Sequence, residues 1–128
     1  MILGVGTDIV SVARMARSLQ RFGERLCRRL VHEAECRECR ERVDTAACLA
    51  RRFAAKEALV KALGTGFREG IRPQDIAVVH DARGRPSFRL QGEIADFVAA
   101  RAIDAIHLSI ADEREFAIAF VVLEGRGG

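Results

Sequence analysis

Large and small residues alternate over the first ten positions of the chain, and this period of two predicts a β-strand. One face of this strand would carry the larger side chains of Leu3, Val5, Thr7 and Ile9. The opposite face would carry two glycines followed by a carboxylate, Gly4, Gly6 and Asp8. Glycines within a strand often mark a place where another backbone or a ligand approaches closely. Asp8 is therefore a candidate site residue, although a solvated aspartate at a strand end is an equally simple interpretation.

The next fifty positions have helical periodicity. From Ser11, a suitable N-cap, apolar residues recur at helical spacing as far as Leu30, and Gly23 is the point at which this stripe would divide into two helices. Residues 32–42 are polar and predict a short exposed helix. Residues 44–64 begin with an aspartate, contain many good helix formers and close with a glycine, so they predict one long helix.

The second half of the chain predicts two pairs of strands separated by a helix. The predicted elements are a strand pair over residues 76–91 with a turn at Arg83 and Gly84, a helix over 92–103, and a strand pair over 105–124 with a turn at 112–115, followed by a loose tail. This order of elements predicts a single small α+β domain over residues 1–128.

Composition agrees with one soluble globular domain. The chain has 128 residues, of which 49% are hydrophobic and 30% are charged, and such a length suits one hydrophobic core. The apolar stretches are shorter than the roughly 20 residues that cross a bilayer, and the N-terminus lacks the basic lead of a signal peptide. We therefore expect a cytoplasmic protein without a membrane segment.

Positive charge is concentrated in residues 11–30, where six arginines accompany only Glu24. An arginine face of this kind suits an acidic partner protein, because complementary charge steers the encounter. A merely solvated basic surface is the alternative, and nucleic-acid binding is disfavoured because the chain lacks Tyr, Trp and the known RNA-binding signatures. The candidate partner-binding residues are Arg14, Arg17, Arg21 and Arg25.

All four cysteines lie between positions 27 and 48. Cys36 and Cys39 form a single CxxC, whereas zinc ribbons normally need two such pairs or a CxxC followed by spaced histidines. The favoured interpretation is free thiols in a reducing compartment, with zinc as the lesser alternative.

Glu57 and Lys61 are four residues apart and therefore share one face of the predicted long helix. An ordinary surface pair of this type contributes only about 0.3–0.5 kcal/mol and is common. However, Lys56 and Lys61 are the only lysines in an arginine-rich chain, and lysine is a compact charge whose pKa changes readily on burial. Glu57 and Asp8 together would suit Mg²⁺, which typically takes one or two carboxylates and binds substrate phosphates.

Three segments of the chain resemble holo-acyl carrier protein synthase, in that family's order and spacing. They are GVGTDIV at residues 4–10, RFAAKEALVKALGTG at 52–66 and IHLSIADEREFAIAFV at 106–121, with a GRP turn at 84–86. The resemblance implies a small phosphopantetheinyl transferase-like α+β fold with one long central helix packed on an antiparallel sheet. It also implies a homotrimer with active sites between neighbouring subunits.

The resemblance further implies a reaction. The serine of an apo acyl carrier protein would attack the β-phosphate of coenzyme A, giving holo carrier protein for fatty acid biosynthesis and adenosine 3′,5′-bisphosphate. Carried over by motif, Asp8 and Glu57 would bind Mg²⁺, and Glu57 and Lys61 would be catalytic. The implied coenzyme A contacts are Arg52, Gly64, Gly84, Arg85, Pro86 and His107.

Several of these residues also have simple structural interpretations. Gly64 would serve equally well as a helix C-cap, and a lone histidine on the polar side of a strand, as His107 is, is usually just solvated. The rival functions are magnesium-dependent hydrolysis of a nucleotide pyrophosphate, which needs no carrier protein, and a non-catalytic binding module that uses only the arginine face.

Overall fold

The computed structural model describes residues 1–126, which form one α+β unit of five strands, five α-helices and a short 3-10 turn. The elements in chain order are β1 Ile2–Ser11, α1 Val12–Phe22, α2 Glu24–Leu30, α3 Glu33–Arg40, α4 Thr45–Leu63, the 3-10 turn Pro73–Asp75, β2 Ile76–His80, β3 Pro86–Leu90, α5 Gly92–Ala100, β4 Ile103–Asp112 and β5 Phe116–Gly125. The predicted fold class, with a long helix against an antiparallel sheet, is confirmed. Within residues 1–126 no helix combines the length and apolar character needed to cross a membrane.

The core lies between helix α4 and a three-stranded antiparallel sheet in the order β1-β5-β4. The inward-facing residues of β5 are small or branched, and α4 contributes a nearly continuous buried surface. A Cβ atom on Gly4 would overlap the carbonyl oxygen of Ala62, and one on Gly6 would overlap that of Ala58. The two glycines therefore let the backbone of α4 lie directly against β1, which is the close approach that the sequence predicted.

The opposite surface of the sheet is apolar and exposed. This outer sheet face contains residues of β1 and β5 that point away from α4, and cross-strand pairing sets Thr7 beside Phe120 and Ile9 beside Ile118. Its large exposed members are Val5, Ile9, Phe116, Ile118 and Phe120. A connected apolar surface of this kind on a small protein typically marks an interaction site.

The predicted break at Gly23 is confirmed, and the start of the third helix has an unusual cap. Gly23 has a φ of 59° and separates α1 from α2. His32 caps α3: its Nδ1 accepts a hydrogen bond from the amide of Ala34 at 3.0 Å, and the Glu35 carboxylate accepts from the amide of His32 at 3.1 Å. This reciprocal pair is the capping-box arrangement, with histidine in place of the usual hydroxyl residue.

The prediction of free thiols is wrong in this structure, because all four cysteines are paired. Cys27 of α2 is joined to Cys36 of α3 with a Cα–Cα distance of 5.7 Å, and Cys39 of α3 to Cys48 of α4 at 5.4 Å. Helical packing of α3 between its neighbours brings together thiols that are nine positions apart. The two bridges attach α3 to both neighbouring helices.

Two predicted boundaries near the C-terminus need correction. The fifth helix ends at Ala100, and Ile103 already belongs to β4, because Ala102 has a positive φ of 55° that turns the chain. Gly125, assigned to the loose tail, is the last residue of β5, where its amide donates to the carbonyl oxygen of Met1 at 3.0 Å. Arg126 follows β5 outside any helix or strand, and residues 127 and 128, the last two of that predicted tail, lie outside the described residues.

Candidate functional site

Strand β1 and helix α4 bring three predicted site residues together at one end of their contact. The Nζ of Lys61 donates to Oδ1 of Asp8 at 2.8 Å and to the carbonyl oxygen of Thr7 at 3.2 Å. Glu57 lies one helical turn before Lys61 and is close enough to Asp8 and Lys61 for their charges to act on it. Asp8 and Lys61 are 53 positions apart in sequence, so this cluster depends on the glycine-mediated packing of the strand against the helix.

The charges of this cluster influence one another. Burial raises the pKa of the Glu57 carboxyl above its ordinary value, neighbouring Asp8 raises this pKa further, and Lys61 opposes the shift. The hydrogen bond to Asp8 raises the pKa of Lys61. A carboxylate with a raised pKa is a better proton acceptor than an ordinary one, and two nearby carboxylates favour a cation between them.

The donor set at this site fits a magnesium ion that is completed by a phosphate-bearing substrate. Two carboxylates, Asp8 and Glu57, are close enough that the charge of Asp8 raises the pKa of Glu57. Residues 1–126 contain no group of three or more acidic, histidine or cysteine side chains suited to hold a metal. Mg²⁺ does not need such a group, because it commonly binds one or two carboxylates, several waters and substrate phosphates.

A basic cavity of about 360 Å³ opens on another side of α4 and is lined by three of the predicted coenzyme A residues, Arg52, Gly84 and Pro86. Arg42, Arg51 and His80 also line it, and the sequence analysis missed these three. Burial lowers the pKa of His80, and so do the neighbouring guanidinium groups. Asp112 also lines the cavity and pairs with Arg51 at 3.1 Å, so the three arginines leave an excess of positive charge that suits a phosphate group.

Two other predicted residues, His107 and Arg85, share a smaller cavity of about 190 Å³ with Pro86. The Nε2 of His107 lies 2.9 Å from a carboxylate oxygen of Glu124. Pro86, the first residue of β3, lines both cavities, but neither is lined by Asp8, Glu57 or Lys61. Within one chain the structure thus gathers the predicted site residues into two separate groups.

The loop after α4 has the geometry of a helix cap. Gly64 has a φ of 79° and its amide donates to the carbonyl oxygen of Lys61 at 3.1 Å, while the amide of Gly66 donates to that of Val60 at 3.3 Å. Both amides are therefore engaged by α4 itself, as in the usual left-handed C-cap. The phosphate contact that the resemblance implied for Gly64 stays a prediction.

The arginine face predicted from residues 11–30 is exposed in the structure. Arg14, Arg17, Arg21 and Arg25 are all solvent-accessible, and within residues 1–126 none of them forms an ion pair with a carboxylate. Beside them, Phe22 and Leu26 line a shallow cavity whose rim includes Arg25, Arg28 and Arg29. The surface thus combines apolar contact area with unneutralised positive charge.

Sequence reasoning also missed a buried charged network that contains Glu35, Lys56 and Arg52. The Nζ of Lys56 donates to Glu35 at 2.5 Å, and Arg52 donates to the other Glu35 oxygen at 3.4 Å. Burial lowers the pKa of Lys56 to about 8, against the opposing effect of Glu35. The available signal was that Lys56 is one of only two lysines in the chain. Nothing in the spacing identified Glu35 as its partner.

Comparison with known proteins agrees with this geometry. A model of the 4'-phosphopantetheinyl transferase superfamily matches residues 4–121. The chain belongs to this superfamily. It is 53% identical over 123 residues to a holo-[acyl-carrier-protein] synthase of Halorhodospira halophila, covering 96% of this chain and 98% of the relative.

Solved structures of the superfamily share the fold of this transferase chain and match it over nearly its full length. The holo-[acyl-carrier-protein] synthase of Neisseria meningitidis superposes with a TM-score of 0.91 at 39% identity, covering 97% of this chain and 99% of the other. A holo-(acyl-carrier-protein) synthase of Bacillus anthracis, solved in complex with CoA (3',5'-ADP), has a TM-score of 0.79 at 36% identity, covering 98% and 99%. The resemblance stated from the three motifs is therefore confirmed.

Proposed function

We propose that this phosphopantetheinyl transferase is a holo-acyl carrier protein synthase, which transfers 4'-phosphopantetheine from coenzyme A to a serine of apo acyl carrier protein. The products are holo carrier protein, for fatty acid biosynthesis, and adenosine 3′,5′-bisphosphate. The observation that carries the proposal is the cluster in which Lys61 bridges to Asp8 beside Glu57. Family membership and the near full-length relatives of that name support it.

The reaction is a substitution at phosphorus. The serine oxygen of the carrier protein forms a bond to the β-phosphorus of coenzyme A, and the bond from that phosphorus to the bridging oxygen breaks. The leaving group is adenosine 3′,5′-bisphosphate, and the serine proton passes to a base. Glu57 is the candidate base, because burial and the charge of Asp8 raise its pKa above the ordinary value and so make it a better proton acceptor. Lys61 supplies a fixed positive charge beside the transferring phosphoryl group.

We assign the magnesium ligands to Asp8 and Glu57. When bound there, the ion would neutralise negative charge on the pyrophosphate and its leaving group. Lys61 contacts Oδ1 of Asp8 and so holds this carboxylate in place. Magnesium dependence of the activity follows from this assignment.

The nucleotide end of coenzyme A would occupy the basic cavity. Arg52, Gly84 and Pro86 line this cavity, together with two further arginines and His80. Arg85 and His107 lie at the adjoining smaller cavity, on the other side of the turn. The B. anthracis relative was solved with the same class of nucleotide.

We propose a homotrimer whose active sites lie between subunits. Two observations support it: the outer sheet face is apolar and exposed, and the two groups of site residues are separate within one chain. His107 is paired with Val122, which is paired in turn with Val5, so His107 lies at the border of the outer sheet face. Assembly through that face would bring His107 close to a neighbouring subunit.

The acyl carrier protein would dock on the arginine face formed by Arg14, Arg17, Arg21 and Arg25. The exposed, unneutralised guanidinium groups suit an acidic protein, and Phe22 and Leu26 offer apolar contact between them. A docked carrier would bring its serine to the end of β1, since α1 follows Asp8 within four residues.

The decisive test is intact-mass measurement of an apo acyl carrier protein after incubation with this protein, coenzyme A and Mg²⁺. We expect a gain of about 340 Da, the mass of one phosphopantetheine, and no gain when the metal is chelated. Release of adenosine 3′,5′-bisphosphate without any acceptor would instead indicate a pyrophosphate hydrolase. No gain with any of several carrier proteins would refute the proposed function.

A further inference from the structure

Glu35 of α3 is a buried carboxylate that accepts hydrogen bonds from four different donors. Its Oε1 accepts from Nζ of Lys56 and from the amide of His32, at 2.5 and 3.1 Å. Its Oε2 accepts from Arg52 and from the amide of Val78, at 3.4 and 3.1 Å. A carboxylate has about four such acceptor positions, so Glu35 is saturated and rigidly held between α3, α4 and β2.

Lys56 keeps this carboxylate in the core. Its side chain has no solvent exposure, and its Nζ also donates to the carbonyl oxygen of Pro73 at 3.0 Å. A buried ion pair is costly to desolvate, and apolar residues of the same volume often give equal or better stability. Stability alone is therefore a weak reason for three segments of the chain to converge on one buried carboxylate.

The network ends at a residue of the basic cavity. The Arg52 side chain is only 4% exposed, and its two terminal nitrogens contact different carboxylates, Glu35 at 3.4 Å and Glu38 at 3.5 Å. Arg52 nevertheless lines the cavity that contains Arg42, Arg51 and His80. Without these carboxylates, nothing among the described contacts would hold its guanidinium group in one direction.

We propose that Glu35 is a positioning residue for nucleotide binding: anchored by Lys56, it holds the guanidinium group of Arg52 at the wall of the basic cavity. The inference rests on the proposed function, because it takes the nucleotide of coenzyme A as the ligand of that cavity. Glu35 itself does not touch this ligand. Its effect is on the affinity for coenzyme A and not on the chemical step at Asp8 and Glu57.

The test compares binding of adenosine 3′,5′-bisphosphate by isothermal titration calorimetry in three full-length proteins. The first is the unchanged chain, and the second is Glu35→Gln/Lys56→Met, which removes one charge of each sign. The control is Glu33→Gln/Arg37→Gln, which removes the same two charges from an exposed pair on α3. We expect binding to weaken by about tenfold or more in the second protein, the usual range for losing a charged hydrogen bond, and to be unchanged in the control.

A purely structural role would not reproduce two further results. The KM for coenzyme A should rise in parallel, while kcat and the KM for the carrier protein stay close to those of the unchanged chain. Arg52→Lys should weaken nucleotide binding in the unchanged chain but have little further effect in Glu35→Gln/Lys56→Met, because both changes disable the same guanidinium group. If circular dichroism shows that the double variant is unfolded, Glu35→Asp replaces it, since the shorter carboxylate keeps the charge and withdraws from Arg52.

The outcomes separate this inference from the proposed function. Equal affinity in the unchanged chain and a folded Glu35 variant would overturn the inference and leave the transferase proposal intact. Additive effects of Arg52→Lys and the Glu35 change would also overturn it. Absence of nucleotide binding by the unchanged chain would instead overturn the placement of coenzyme A on which the inference depends.

Discussion

A Cβ atom placed on Gly6 would overlap the carbonyl oxygen of Ala58, so strand β1 and helix α4 are in contact through their backbones at this point. Two positions further along the same strand face is Asp8, and one turn along α4 from Ala58 are Lys61 and Ala62. The close contact at Gly6 therefore sets the distance across which Asp8 meets Lys61. Loss of that contact should affect stability and the site together.

Gly6→Ala should destabilise the fold by about 3 kcal/mol, because the added methyl group forces α4 away from the sheet. Gly64→Ala is the comparison: Gly64 has a positive φ but open space around it, so backbone strain alone should cost about 1 kcal/mol. Urea denaturation of both variants measures the difference. A loss in Gly6→Ala no larger than that in Gly64→Ala would contradict the backbone contact.

Glu57→Gln should abolish transfer without harming the fold. We expect kcat to fall by about 100-fold or more, because the change removes a candidate base and metal ligand with almost no change of shape.

The folded-state pKa of Glu57 is raised above its ordinary value of 4.5, so its ionisation opposes folding once the pH exceeds that value. Glu57→Gln should therefore be at least as thermostable as the unchanged chain at pH 7, with any gain disappearing below pH 4.5.

Direct titration of metal-free protein by NMR checks the cause of this pKa. Asp8→Asn should lower the pKa of Glu57, because a repelling charge is removed, whereas Lys61→Met should raise it, because an attracting charge is removed. Shifts in the opposite directions would show that the three side chains do not form one electrostatic cluster.

Charge on the outer sheet face should dissociate the assembly. Phe120→Asp places a carboxylate in the middle of the apolar surface, and we expect light scattering to change from a trimer to a monomer with loss of transfer activity. Val43→Asp is the matched control, since Val43 is also an exposed apolar residue but belongs to the α3–α4 loop and not to the sheet. A fully active monomer in the unchanged chain would refute the interface-site proposal.

Reduction should destabilise the region of α2, α3 and α4. Each bridge spans nine positions, and the loop-closure estimate for a bridge of this length is about 2–3 kcal/mol. We expect Tm to fall on addition of a thiol reductant, and Cys39→Ser/Cys48→Ser to start from a lower Tm and respond less. Four reactive thiols in the native protein under oxidising conditions would restore the original interpretation of free cysteines.

Reversing charge on the arginine face should weaken carrier recognition selectively. Arg14→Glu and Arg21→Glu should each raise the KM for the carrier protein by about tenfold, with a reduced dependence on salt and an unchanged KM for coenzyme A. Arg89→Glu reverses an equally exposed arginine on β3 and serves as the control. An equal effect in Arg89→Glu would mean that total charge, and not this face, attracts the carrier.

The sequence by itself determined the fold class, the family and most of the local structure. Periodicity located each helix and strand, because apolar residues recur along the sequence with a different period in a helix than in a strand. Gly23 and Gly64 ended helices where predicted, since positive φ costs a glycine little. Two of the three motifs contain Asp8, Glu57 and Lys61, and these are the residues that β1 and α4 bring together.

Only the tertiary structure decided which residues meet across the chain. Spacing shows which side chains share a face of one element, but not which face of another element lies opposite. The packed arrangement alone showed that Glu35 partners Lys56 and Arg52, that the four cysteines pair, and that α4 is the element that approaches Gly4 and Gly6. The resemblance grouped His107 with Arg52 and the 84–86 turn as coenzyme A contacts, and the folded chain sets His107 beside Arg85 and Pro86 but places Arg52 in a separate cavity.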